Sequence, residues 1–192
     1  MAKLYHGSPN LFDHFELTGA GDGTGLKFGY GVYLTQVEDT AVNYSQPRGQ
    51  EFAEKHYLYT VEIPDLEAGD HLVSAKQVDE SIVTAVESKL GVRAPETKKA
   101  QGKEFRKWIG TTLTGAKKAD FIEEKKAAEL LESIGVHYNV WPQAQSKPDG
   151  FKNIAVFDAS RVKIVKVEEI EIESKGGKWI LKNRKEIQVD SR

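Results

Sequence analysis

Tyr57, Tyr59, Val61 and Ile63 recur at the two-residue spacing of a strand with one buried face, and Pro64 ends the run. Ala2–His6 reads as an earlier strand closed by the turn Gly7-Ser8-Pro9-Asn10, and Tyr30–Leu34 as a second. Val136–Trp141 and Asn153–Phe157 are predicted strands, separated by the polar loop Gln143–Lys152. Arg161–Ile172 continues as strand. In it Glu169, Glu171 and Glu173 alternate with Ile170 and Ile172, the pattern of the wet face of an edge strand. Trp179–Leu181 and Ile187–Val189 predict a terminal hairpin around Gly176-Gly177, at about 174–190.

Three other stretches carry helical spacing. Ile82, Val83, Val86 and Leu90 share one face of a predicted helix over Ser81–Leu90, and Glu104–Leu113 predicts another. The strongest pattern is Asp120–Ile134, with Phe121, Leu130, Leu131 and Ile134 as its apolar stripe and Gly135 as its C-cap. A short helix is predicted to start over Glu38–Tyr44. Thr35 is its expected N-cap, and Glu38 three residues later would complete a capping box. Between the first two strands, Gly19–Gly31 holds six of the 17 glycines, which predicts a mobile loop. It leads into a strand rather than opening a helix, so it is neither a P-loop nor a Rossmann fingerprint. No internal repeat is present.

Composition narrows the class. The 192 residues suggest one domain, 1–192, and 39% hydrophobic with 29% charged residues can build a core. Net charge is −2, without the global basic signature of a phosphate-backbone binder. Locally the balance changes. Lys89, Arg93, Lys98, Lys99, Lys103, Arg106, Lys107, Lys117, Lys118, Lys125 and Lys126 crowd one region. With acids interspersed, they read as the solvated surface of a helical insertion at about 66–119; the alternative is a surface for an acidic partner or an RNA strand. The absence of cysteine excludes disulfides, thiolate metal sites and a cysteine nucleophile. No apolar run opens the chain, and none reaches the roughly 20 residues that span a bilayer. A cytoplasmic protein with no membrane partner is expected.

The chemistry-bearing residues sit in a fixed order. Tyr5-His6-Gly7-Ser8 ends the first strand, Gly29-Tyr30-Gly31-Val32-Tyr33-Leu34-Thr35 leads through the second, and Ala41-Val42-Asn43-Tyr44 follows one short element later. That order resembles the nicotinamide-binding half of ADP-ribosyltransferases of the histidine–tyrosine type, the branch that includes diphtheria toxin and the poly(ADP-ribose) polymerases. Leu4–Ser8, the glycine run through Thr35, Tyr59–Pro64, Ala127–Gly135 and Asn153–Ile164 also resemble the ADP-ribosyltransferase domains of phage and mobile-element polyvalent proteins. The resemblance covers roughly Leu4 to Val167.

The resemblance implies an α+β fold whose split β core is two small packed sheets, with peripheral helices and the nicotinamide cleft between the sheets. It implies NAD as co-substrate, no metal, and transfer of one ADP-ribose to a macromolecular acceptor, protein or nucleic acid. Cleaving the nicotinamide–ribose bond expels an already cationic leaving group through an oxocarbenium-like transition state, so positioning matters more than acid catalysis. By the resemblance, His6 would bind the adenosine ribose and Gly7, with Ser8 beside it, would read the carboxamide through its backbone. Tyr33 and Tyr44 would wall the nicotinamide slot. Asn153, opening Asn153-Ile154-Ala155-Val156-Phe157-Asp158, matches the position at which the family usually carries glutamate. With His6 and Tyr33 it completes the expected catalytic set.

An asparagine can orient a ribose hydroxyl but cannot act as a base. It argues against chain elongation. It also leaves open a catalytically inactive binding module. A third alternative is an RNA-end phosphotransferase, for which Arg48 and Arg161 are the nearest arginines. The resemblance further implies a bacterial or phage effector or toxin, with an antitoxin or immunity protein as a neutralising partner.

Overall fold

The chain is described here as a computed structural model covering residues 1–17 and 26–189. Eight strands make one open sheet: β1 (Ala2–Ser8), β2 (Val32–Thr35), β3 (His56–Ile63), β4 (His71–Val73), β5 (Tyr138–Pro142), β6 (Lys152–Val156), β7 (Lys163–Lys175) and β8 (Lys178–Ile187). Their spatial order is β4-β5-β6-β2-β1-β3-β7-β8, antiparallel throughout except for β4 beside β5. Five helices accompany it: α1 (Glu38–Tyr44), α2 (Glu80–Leu90), α3 (Glu96–Lys99), α4 (Gly102–Thr114) and α5 (Phe121–Ser133). The α+β class stands.

The two separate sheets expected from the sequence are hydrogen-bonded into one. The joint is narrow. β1 and β3 pair over seven residues without interruption, whereas β1 and β2 register only at Tyr5 and Thr35. Beyond that pair the two strands part.

The alternation at Tyr57, Tyr59, Val61 and Ile63 fills the core on one face, together with Leu4, Val32, Leu34, Val140, Ile154 and Val156. On the opposite face, Ala41 and Val42 of α1 pack on Leu58 and Ile170. The helices α2, α4 and α5 enclose a second core of Val83, Val86, Phe105, Ile109 and Leu131, which also takes in Leu72 and Phe157 from the sheet side. The stretch predicted as an insertion is packed into the fold. It supplies β4 to the sheet and a helical layer to the core.

Several local expectations need correction. Val37, not Thr35, is the N-cap of α1, and it makes no side-chain cap bond. The Thr35 hydroxyl instead accepts the Val37 N–H at 3.1 Å. The capping box belongs to α5, where Asp120 and Glu123 cap reciprocally. The buried line of α5 is Glu124, Ala127, Ala128 and Leu131; Phe121, Leu130 and Ile134 lie only half-buried. The Glu169–Glu173 alternation does face solvent in part, but β7 is not an edge, because β8 pairs along it. Gly176 and Gly177 make its tight turn, with φ of +59° and +76°. Trp179–Leu181 lies within β8, which ends at Ile187, so the two predicted hairpin arms belong to one strand and its exit. Of the predicted glycine loop, Gly19, Gly21, Gly23 and Gly25 lie outside the described residues. Arg106, read from sequence as part of a solvated basic run, is fully buried.

Candidate active site

A cavity of about 580 Å³ opens where β1 and β2 part. His6, Gly7 and Ser8 from the end of β1 line it, with Gly31 just before β2, Val32 and Tyr33 from β2 and Tyr44 from the end of α1. Five of the six sequence-selected residues thus meet at one opening. The sixth, Asn153, is not among the lining residues.

Register explains how one opening takes residues whose side chains lie on opposite faces. Tyr5 and Thr35 are directly opposed and share a face, so Tyr33 lies on that face and His6 on the other. Where the ladder ends, a side chain takes over. His6 Nδ1 donates to the Tyr33 carbonyl at 2.8 Å. A carbonyl can only accept, so the proton sits on Nδ1 and the lone pair on Nε2 of the neutral ring.

Aromatic residues that the sequence reading missed surround that ring. Phe15 meets His6 edge-on at 5.1 Å, and Phe12 stacks on Tyr59 at 4.3 Å. Phe12 N–H donates to the Tyr59 hydroxyl at 2.9 Å, and that hydroxyl donates to the Asn10 carbonyl at 2.8 Å. These bonds fold the segment after β1 back over the histidine. The only sequence signal for it was the Phe12-x-x-Phe15 spacing just beyond the turn. Burial in this setting lowers the His6 pKa, against which the Tyr33 carbonyl bond pulls upward.

At the rim, His14 lies between two carboxylates, with Nδ1 at 2.5 Å from Asp13 and Nε2 at 2.6 Å from Glu16. The two acids favour the protonated ring and raise its pKa, Glu16 most. Tyr44 is 56% exposed and open to stacking. Gly7 is required by space. A Cβ there would lie 1.8 Å from the Ala41 carbonyl oxygen, so only glycine lets α1 seat against β1.

Tyr33 is held on the helical side. Its hydroxyl donates to the Gly29 carbonyl at 2.6 Å and accepts the Phe28 N–H at 3.2 Å, and its ring meets Trp141 edge-on at 5.5 Å. Burial pushes its pKa up to about 12, so it is a neutral hydroxyl at any working pH. Asn153 pairs with Thr35 and so shares the Tyr33 face. Its Oδ1 is buried without a hydrogen-bond partner. Arg161 is engaged by Glu132 at 2.5 Å, and neither it nor Arg48, the two arginines the phosphotransferase alternative looks to, lines the cavity.

Among the described residues no group of His, Asp or Glu is placed to hold a metal ion, and no helix is long and apolar enough to cross a membrane. No family model, no curated protein and no solved structure matches the chain.

Proposed function

We propose that the protein transfers ADP-ribose from NAD to a macromolecular acceptor and releases nicotinamide. The observation that supports this reading is the convergence of His6, Gly7, Ser8, Tyr33 and Tyr44 on one cavity, although the motif order alone had selected them. Its volume of about 580 Å³ suits a ligand of cofactor size. Its lining mixes aromatic faces with a few polar groups.

In this reading His6, neutral and fixed in one tautomer, accepts a hydroxyl of the adenosine ribose at Nε2. The backbone of Gly7 reads the carboxamide, with Ser8 beside it. Tyr33 and Tyr44 offer ring faces to the pyridinium, which stacking and cation–π attraction favour. The nicotinamide–ribose bond then breaks with its electron pair leaving on the pyridine nitrogen. A lone pair of the acceptor forms the new bond to the ribose carbon, and the acceptor's proton passes to solvent. The unpartnered Oδ1 of Asn153 is the kind of buried acceptor a ribose hydroxyl would satisfy. A protein side chain is the favoured acceptor and a nucleic-acid base the next. An effector or toxin, neutralised by a partner protein, is the setting such chemistry suits.

Incubation of a lysate with labelled NAD, followed by separate protease and nuclease digestion, tests the reading. Label in either fraction with stoichiometric nicotinamide supports it, and its absence from both rejects it. The second reading is a binding module that uses the cleft without turnover. Asn153 favours it, being uncharged and outside the cavity lining. NAD binding without nicotinamide release is its signature.

A further inference from the structure

Arg106 and Glu124 form an ion pair inside the helical layer, one from α4 and one from α5. Their side chains are 0% and 3% exposed, and Arg106 Nε lies 2.8 Å from Glu124 Oε2. Arg106 Nη1 and Nη2 have no hydrogen-bond partner. As a stabilising device this is poor. Desolvating two charges costs about as much as their attraction returns, and a well-packed apolar pair commonly holds helices as well or better.

The guanidinium has another neighbour. A Cβ built on Gly29 would lie 2.7 Å from Nη1 and 2.8 Å from both Cζ and Nε. Near-equal distances to three atoms of one plane mean that Gly29 rests on the flat face of the guanidinium. Gly29 takes φ of +94°, which a side chain would resist even without that contact. Its carbonyl receives the Tyr33 hydroxyl, and Phe28 N–H donates to the same hydroxyl. The Phe28 carbonyl in turn accepts from Asn139 Nδ2 at 2.7 Å, and Asn139 Oδ1 accepts from Ser74 at 3.2 Å. One packing contact and one hydrogen bond therefore separate Arg106 from Tyr33.

We propose that Arg106 is a positioning residue: its guanidinium face, oriented by Glu124, seats the Gly29 turn and thereby fixes the hydroxyl and ring of Tyr33 at the cavity. The catalytic consequence rests on the reading of that cavity as an NAD site, whereas the seating does not. A planar group is needed for it, which an ammonium cannot supply. The helical layer that sequence reading sets aside as an insertion thus carries a part of the site.

The test uses the full chain. Arg106→Met combined with Glu124→Leu removes both charges at similar volume; Arg106→Lys keeps a charge for Glu124 but loses the plane. Four quantities are read: the thermal midpoint, the exchange rate of the Phe28 amide, and kcat and KM for nicotinamide release. In the double variant the midpoint should stay at or above that of the wild type. Phe28 exchange should quicken at least about tenfold as its local bond opens. The kcat should fall about tenfold with KM within about twofold, as befits an interaction needed most in the transition state. A wild-type midpoint with Phe28 exchange and kcat both unchanged overturns the proposal and leaves Arg106 a purely structural residue. If the double variant melts well below the wild type, Arg106→Lys decides: faster Phe28 exchange at an undiminished midpoint supports the seat, and unchanged exchange overturns it. If the wild type releases no nicotinamide, the proposed function falls, and Phe28 exchange alone then supports or overturns the seating.

Discussion

His6 Nδ1 reaches the Tyr33 carbonyl across 2.8 Å at the place where β1 and β2 cease to pair. A side chain here replaces a rung of the ladder, and in doing so it fixes the tautomer that leaves Nε2 as an acceptor. Protonation would turn that acceptor into a donor. Because burial lowers the His6 pKa beneath its ordinary 6.5, NAD affinity should stay level down through pH 6.5 and fall only in more acid solution. Calorimetry across pH checks this. His6→Ala should bind more weakly at every pH and lose the acid limb. A limb centred at or above pH 6.5 in the wild type contradicts the assignment.

The same burial sets a pH dependence of stability. His6 and His56 both have folded pKa values lowered from 6.5 by desolvation. The unfolded chain therefore takes up these protons first on acidification. Their contribution is complete above pH 6.5 and is lost as pH falls from there toward the folded values. His14, raised by Glu16 and Asp13, works in the opposite sense in exposed surroundings, as does Glu124, raised by burial. Urea midpoints measured from pH 7 to 5 should fall less for His6→Gln with His56→Gln than for the wild type. Parallel curves would refute the linkage.

Tyr33 separates holding from stacking. Tyr33→Phe keeps the ring but leaves the Gly29 carbonyl without its donor, a loss of about 1–3 kcal/mol in stability. Tyr33→Ala also removes the face offered to the pyridinium, so nicotinamide release should vanish in a chain that still folds. Full release by a folded Tyr33→Ala protein means that the cleft has been misassigned.

Asn153 decides between enzyme and binding module. If its amide orients a ribose hydroxyl in the transition state, Asn153→Ala should lower kcat for nicotinamide release more than it weakens NAD binding. Asn153→Asp keeps the shape and should retain some release. Wild-type kinetics in Asn153→Ala would move that role to another residue, with Glu169 or Glu171 next to be tried.

Gly7→Ala should be the most disruptive small change at the site. The new carbon would fall 1.8 Å from the Ala41 oxygen within α1 and 2.9 Å from N of Ser45, its C-cap, both backbone atoms. A loss of about 3 kcal/mol or more is expected, since the backbone must move. Gly49→Ala is the control. Nothing lies within 4 Å of its Cβ position, and only its φ of +74° resists, at about 1 kcal/mol. Equal unfolding midpoints for the two variants would contradict the packing.

What the sequence made legible was local. The start of a helix at Glu38 was legible, though its expected Thr35 cap was not the one used, and Tyr57–Ile63 fell one residue short of β3 because its two-residue alternation lies in the residues themselves. β4 was invisible. Its three residues, His71-Leu72-Val73, acquire strand form only by pairing with Tyr138–Val140, far along the chain. The burial of Arg106 was hidden for a related reason: nothing within a run of lysines and glutamates tells which cation a helix turns inward. His6, Gly7 and Tyr33 could be picked out by order, whereas their union at one opening depends on the single pairing of Tyr5 with Thr35. The separation of Asn153 from the cavity lining is equally a matter of sheet order, which no spacing encodes.

That narrow joint also governs how the molecule can come apart. β1, β3, β7 and β8 stand on one side of it and β2, β4, β5 and β6 on the other, so the polypeptide shuttles across four times. Neither side is a continuous length of chain, and no single cut releases one as an independent folding unit. Ring closures must precede most of the pairing, which makes assembly slow and disassembly all-or-none. The cavity at the joint is thus framed by β1 from one side and β2 from the other, and it exists only where the pairing of Tyr5 with Thr35 brings the two sides together.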